Sequence, residues 1–250
     1  MNFFDIAQRL SDSLDLVHAP VSIAFTDSIP AGVDCHNDRV PAGCSFWKDG
    51  AVRTFATSAD DHASCAIGMY THNLERSAVH QAELADALAI FRDLGYVNEA
   101  DLPLIPVLQA QPAHVIYGPL SKTQLRPAVV LLFVNAQQAL IATEAAQQIE
   151  ERILPAMGRP ACAVIPLVAN TGRAAISFGC CGARAYLETL TPDLSIFAIP
   201  GSKLDLYAER IQSLARSNAT LSKFHQLRRS QIEAGLVPTV KESLAALKRE

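Results

Sequence analysis

Residues 162–186 read CAVIPLVANTGRAAISFGCCGARAY, and residues 44–70 read CSFWKDGAVRTFATSADDHASCAIGMY. Each run opens on a cysteine, crosses a strand–turn–strand pattern and reaches a second cysteine just before a Gly-containing helix start. The spacing is similar, with 21 positions from Cys44 to Cys65 and 18 or 19 from Cys162 to Cys180 or Cys181. Upstream lie PVSIAF at 20–25 and PAVVLLF at 127–133, short apolar segments whose β-branched and aromatic residues signal strands. The pattern predicts one unit used twice, strand–Cys–strand–Cys–helix, over about residues 18–97 and 113–200, with helices over 202–250. The expected fold is α/β (α+β): mixed sheets flanked by helices in a single compact domain.

Half of the 250 residues are apolar and 18% are charged, enough apolar surface for a real core and too little charge for a disordered chain. The formal net charge is −4. With no clustered basic face, no nucleic acid is expected as a partner, because phosphate neutralisation needs grouped Lys and Arg. Lys223, Arg228 and Arg229 are diluted by Gln and Ser and read as a solvated helix face. The start, MNFFD, lacks the basic and apolar regions of a secretory signal, and no apolar run reaches membrane-spanning length. The expectation is therefore a cytoplasmic protein without a membrane partner. Its thiols stay reduced there, and six cysteines point to packing, metal binding or catalysis rather than disulfides.

Apolar positions 3, 6, 7, 10, 14 and 17 predict an amphipathic helix. Strands are expected at 20–25, 52–56, 113–117, 128–134, 162–168, 174–178 and 195–199. The strand at 128–134 is apolar at every position and should be central. Helices are expected at 65–72, 75–94, 136–152, from 181 to before Pro192, at 202–217 and 222–233, and from Thr239. Loop residues fill 27–41, and the proline-containing stretch 98–112 reads as a linker or an extended edge, the candidate boundary between halves.

Two such units face to face bring Cys44, Cys65, Cys162 and Cys180 or Cys181 toward one point. Thiolates are soft ligands, and four of them suit an iron–sulfur cluster of the [4Fe–4S] type, with zinc as the alternative. The chain has no C-x-x-C knuckle and no compact cysteine run, so folding must assemble such a centre in a cleft between the halves. Cys65 follows a polar DDHAS lead-in at a helix start, where N–H groups and the dipole are expected to lower a thiol pKa. His62, three residues earlier, is a candidate ligand or proton donor. Arg184 is a candidate partner for a substrate anion or for cluster charge. The plainer readings are a salt bridge for Arg184, core packing for Cys162, Phe46 and Trp47, and helix capping for Asp60 and Asp61. Cys35 and His36 form a local pair in a loop.

The run GPLSKTQLRPAVVLLFVNAQQALIATEAA, followed by CCGARAY and LSIFAIPGSKLDLYAERI, resembles the bacterial and archaeal family called domain of unknown function 169. PVSIAF and the Cys44 and Cys65 segments fit its first half, and the resemblance covers about residues 15–215. It implies recurring cysteines at Cys44, Cys65, Cys162 and the Cys180–Cys181 pair, with Cys180 at the position of the C-x-G-A-R pattern. This chain departs in carrying both members of that pair, and in having Ala128 where the pattern has an acidic residue. Cys35 has no counterpart.

The leading expectation is a cysteine-ligated iron–sulfur or other metal protein acting in redox chemistry or on a small-molecule substrate. An oxidoreductase or lyase activity is compatible with it, as are a redox partner and a homodimer. The alternatives are a metal-free thiol enzyme or sensor using a helix-start cysteine, and a non-catalytic small-molecule binding protein. No dinucleotide fingerprint, Walker A sequence, nucleophile elbow or H-E-x-x-H is present.

Overall fold

The computed structural model describes residues 2–36, 43–62 and 64–248. Its frame is one seven-stranded sheet in the order β2-β3-β1-β4-β7-β6-β5. The strands are β1 (Val21–Thr26), β2 (Phe55–Thr57), β3 (His114–Pro119), β4 (Val129–Val134), β5 (Ala156–Met157), β6 (Ala175–Ser177) and β7 (Ser195–Pro200). All pairings are antiparallel except β5 with β6. The helices are α1 (Phe3–Leu14), α2 (Ser45–Gly50), α3 (Ala66–Thr71), α4 (Ala78–Asp93), α5 (Ala136–Glu150), α6 (Val164–Thr171), α7 (Leu204–Glu233) and α8 (Val240–Leu247).

β4 is central and buried throughout, as its uninterrupted apolar sequence predicts. Its alternate residues divide between two cores. Val129, Leu131 and Phe133 face one side with Phe46, Trp47, Cys44 and Cys162, while Val130, Leu132 and Val134 face the other with residues of α1, α5 and α7. Helices thus cover both faces, and Cys44, Cys65, Cys162 and Cys180 lie on only one. Where β7 turns toward α7 the backbone passes so close to β4 that a Cβ on Gly201 would stand 1.8 Å from the Pro127 carbonyl oxygen.

Within the sheet, β1, β3 and β2 follow each other outward from the centre, and β4, β7 and β6 do the same on the other side. Along the chain, Cys44 lies between β1 and β2 and Cys65 between β2 and β3, while Cys162 lies between β4 and β6 and Cys180 between β6 and β7. The shared connectivity is a matter of topology and does not by itself make the halves copies of one unit.

Residues 162–168 correct the expected strand. Cys162 lies in a 3-10 turn (Ala161–Ala163) that runs into helix α6. Cys44 likewise precedes helix α2. The first run is therefore strand–Cys–helix–strand–Cys–helix, not strand–Cys–strand–Cys–helix, and the second departs from it in having β5 before Cys162 and a π-helical turn (Gly182–Tyr186) after Cys180. An apolar run buried on all sides carries no period, so sequence alone does not separate a buried strand from a buried helix. The C-terminal region differs too. The two helices expected at 202–217 and 222–233 are one helix of 30 residues, α7. Neither Gly nor Pro interrupts it, and the Ser217 and Thr220 hydroxyls bond back to the Ser213 and Arg216 carbonyls without breaking it.

The stretch 98–112 does not separate two bodies. It holds a 3-10 turn (Glu99–Leu104) and then crosses to the second half, where the Asn170 side chain accepts from the Gln109 N–H at 3.0 Å and donates to the Val107 carbonyl at 2.7 Å. The expected loop at 27–41 is irregular over its described part, and its residues 37–41 lie outside the described residues.

Candidate functional site

Five cysteines from four segments line one cavity of about 880 Å³: Cys44, Cys65, Cys162, Cys180 and Cys181. Cys44 immediately precedes α2 and is buried. Cys65 immediately precedes α3. The two approach through Gly43, which has φ +76 and lies so close that a Cβ there would be 3.6 Å from both Cβ and Sγ of Cys65. Cys162 accepts a hydrogen bond from Thr71 Oγ1 at 3.4 Å, tying the second half to α3 of the first. Cys180 and Cys181 follow β6, where one π-helical turn (Gly182–Tyr186) begins.

Each pairing among Cys44, Cys65, Cys162 and Cys180 is close enough for one thiolate to oppose another. Burial, followed by Cys180 and Cys65, raises the Cys44 thiol above its ordinary range; the otherwise unpartnered Thr189 hydroxyl only partly counteracts this. Cys162 is raised by burial and then by Cys65, with smaller effects from Cys44 and Cys180. Cys65 is raised chiefly by burial and further by Cys180, although N–H groups of Gly68 and Ile67 favour its thiolate. The lowered pKa expected for Cys65 at a helix start is therefore reversed, because desolvation outweighs the donors of a six-residue helix.

Arg184 does not line the cavity. Its guanidinium donates to the main-chain carbonyls of Phe178, Thr191 (2.6 Å) and Leu194 (3.0 Å). These bonds hold the loop and π turn that carry Cys180 and Cys181, and they leave Arg184 a positioning residue without the expected contact to substrate. Nearby, Lys48 of α2 donates to the Glu188 carbonyl at 2.6 Å and fastens that loop to the first half.

His62 stands behind the cysteines and does not line the cavity either. It is fully buried, its Nδ1 bonds to the Ser58 carbonyl at 2.8 Å, and its Nε2 has no partner among the described residues. Burial pushes its pKa down to about 4, so at neutral pH the ring is uncharged and is not the expected proton donor. Asp61 caps locally, accepting from the Ser58 N–H at 2.7 Å, whereas Asp60 faces His80 at 3.3 Å. His36 faces Asp49 Oδ2 at 3.3 Å, and neither it nor Cys35 reaches the cavity. Phe46 and Trp47 are core residues.

Two lining residues carry polar chemistry that the sequence reading did not single out. Tyr96 lies against Cys181, and Arg159 lies over the Tyr96 ring, 4.2 Å from its centroid. Both belong to irregular segments with no periodicity to mark them. Much of the remaining wall is apolar, with Leu88 and Phe91 on α4, Ile105 from the crossing segment and Met157 on β5.

Among the described residues, no three His, Cys, Asp or Glu side chains are grouped so that they could hold a metal ion. A single tetrahedral zinc needs its sulfurs roughly 3.8 Å apart, given Zn–S bonds of about 2.3 Å. A cluster imposes a wider arrangement, since each thiolate binds a different iron.

The family model DUF169, described as uncharacterised ArCR, matches residues 9–210. This chain belongs to that family. The match takes in the entire sheet and every cavity-lining cysteine. No curated protein and no solved structure matches the chain.

Proposed function

We propose that this DUF169 protein is an iron–sulfur protein that binds a small molecule beside its cluster. Cys44, Cys65, Cys162 and Cys180 would be the ligands, with Cys181 as the remaining thiol on the wall. The observation that carries this reading is the gathering of four thiols from separate segments at one apolar cavity, three of which, Cys44, Cys65 and Cys162, are raised by burial and by neighbouring cysteines. Without a cation such a group contributes little beyond packing. Iron would deprotonate it and balance its charge. The donor set suits a cluster, because thiolates are soft ligands for iron.

A bound cluster would supply one-electron transfer or, with an open iron, a Lewis-acid position. The chain's own residues have separate tasks. Thr71 and Thr189 donate toward sulfur, Arg184 holds the Cys180 loop, and the apolar wall excludes water from the space beside the thiols. The described cysteines are all free thiols, which suits the reducing cytoplasm proposed for this chain. Among the described residues no helix is long and apolar enough to cross a membrane.

The test is metal analysis after oxygen-free purification. The reading expects a brown protein with about four iron and four sulfide per chain, as a [4Fe–4S] centre requires. Cys162→Ser and Cys180→Ser should each lose most of that iron while Cys181→Ser retains it. Colourless, iron-free protein from cells expressing cluster-assembly machinery would overturn the proposal.

A further inference from the structure

Charge enters the cavity at few points. Asp101 lines it, but its carboxylate accepts from the Asn98 N–H at 3.0 Å and closes a local cap. Glu83 lies on α4 two turns before Phe91, which puts it roughly 12 Å along the helix axis from that ring at 1.5 Å per residue. Phe91 in turn packs against Tyr96, with ring centroids 5.7 Å apart, and Arg159 lies over the Tyr96 ring. Arg159 is the only Lys or Arg among the described lining residues and has no ion-pair partner among them. Stacking fixes the guanidinium plane and leaves its N–H edge available. The Tyr96 hydroxyl lies beside Cys181 at the same corner.

The geometry points to a monocarboxylic acid with an apolar body as the class of molecule this cavity takes. Arg159 would hold the carboxylate, aided by the Tyr96 hydroxyl, while the body lies along Leu88 and Phe91. A lone guanidinium fork matches a carboxylate, which accepts two parallel N–H bonds. A phosphate dianion calls for more donors, and no second cation lines the described wall. Glu83 at the opposite end of α4 disfavours a second anionic group there, so the site selects one carboxylate over two. This inference deepens the proposed function and rests on its reading of the cavity as a substrate site.

Calorimetric titration with octanoate, octanol, octylamine and octanedioate tests it, with iron measured on the same sample. Octanoate should bind at least ~10-fold more tightly than octanol, a difference within reach of a charge-assisted pair. Octanedioate and octylamine should bind more weakly still. Arg159→Gln should bring octanoate to the level of octanol, and Tyr96→Phe should weaken octanoate alone. Arg159 is solvent-exposed, so its replacement leaves the fold intact, which a melting curve verifies. Equal binding of acid and alcohol, or an acid preference that survives Arg159→Gln, overturns the inference. Iron-free protein that prefers octanoate would remove the cluster and keep this subsite; iron-loaded protein with no preference would do the reverse.

Discussion

His62 and His72 are fully buried, with ring centroids 5.8 Å apart. In each, Nδ1 donates to a carbonyl, of Ser58 at 2.8 Å and of Gly68 at 2.7 Å, and Nε2 is left without a partner among the described residues. Burial lowers both, to about 4 for His62 and about 3 for His72, with His62 itself adding to the effect on His72. An unfolded chain takes up both protons below the ordinary histidine pKa of about 6.5, and the folded chain takes up neither until much lower pH. Stability is therefore complete above about pH 6.5 and declines as pH falls from there toward the folded-state values, by up to about 2.7 kcal/mol per pH unit where both groups contribute. Urea titrations between pH 7 and pH 4.5 should show this slope, and the double variant His62→Gln, His72→Gln should flatten it. The same pair shows how far a sequence carries at this scale. The spacing of His62 from Cys65 drew attention to it as a possible acid or ligand, but only the packing of Phe46 and His72 around its ring reveals that it is held neutral.

Helices and strands were legible wherever the sequence carried a period or a stop signal. α1, β1, β4, α5 and β7 lie close to their expected limits because amphipathic spacing, β-branched runs and a run of strong helix formers mark them. α6 was not legible, since Val164, Ile165 and Val168 are all buried and the run is apolar on every side. The cysteines were recognisable as a group because they recur at matching places in two runs. Tyr96 and Arg159 were not, since they meet only when irregular segments of opposite halves fold together. α7 offers a test at this level. Its residues Leu204, Tyr207, Ala208 and Ile211 are buried against α1 and α5, whereas its last turns meet chiefly α8, and the family match stops at residue 210. A chain shortened after Arg228 should fold with a loss below about 1 kcal/mol by chemical denaturation, as expected where few buried contacts are removed.

The molecule as a whole turns on the middle of its sheet. β1 and β4 pair through Val21 with Leu131, Ser22 with Val130 and Ile23 with Val129, whereas the ladders on either side, β1 with β3 and β4 with β7, each run through six residue pairs. Residues 1–126 and 127–250 each hold one flank, and separation would turn β1 and β4 into bare edges with apolar faces. Each fragment expressed alone should be insoluble, and the two expressed together should assemble into a soluble complex recovered by affinity purification of one fragment. Soluble, monomeric fragments would show that the halves are independent.

The short central ladder bears on what the four thiols would do when ligated. Two come from each flank, and they lie on the face where Thr71 and Lys48 already reach across. A centre shared among them would act as a latch across the three-pair ladder that joins the two flanks. Were iron bound there, an oxidant that removed it would unfasten the two flanks, and damage to the inorganic group would register as loosening of the whole molecule.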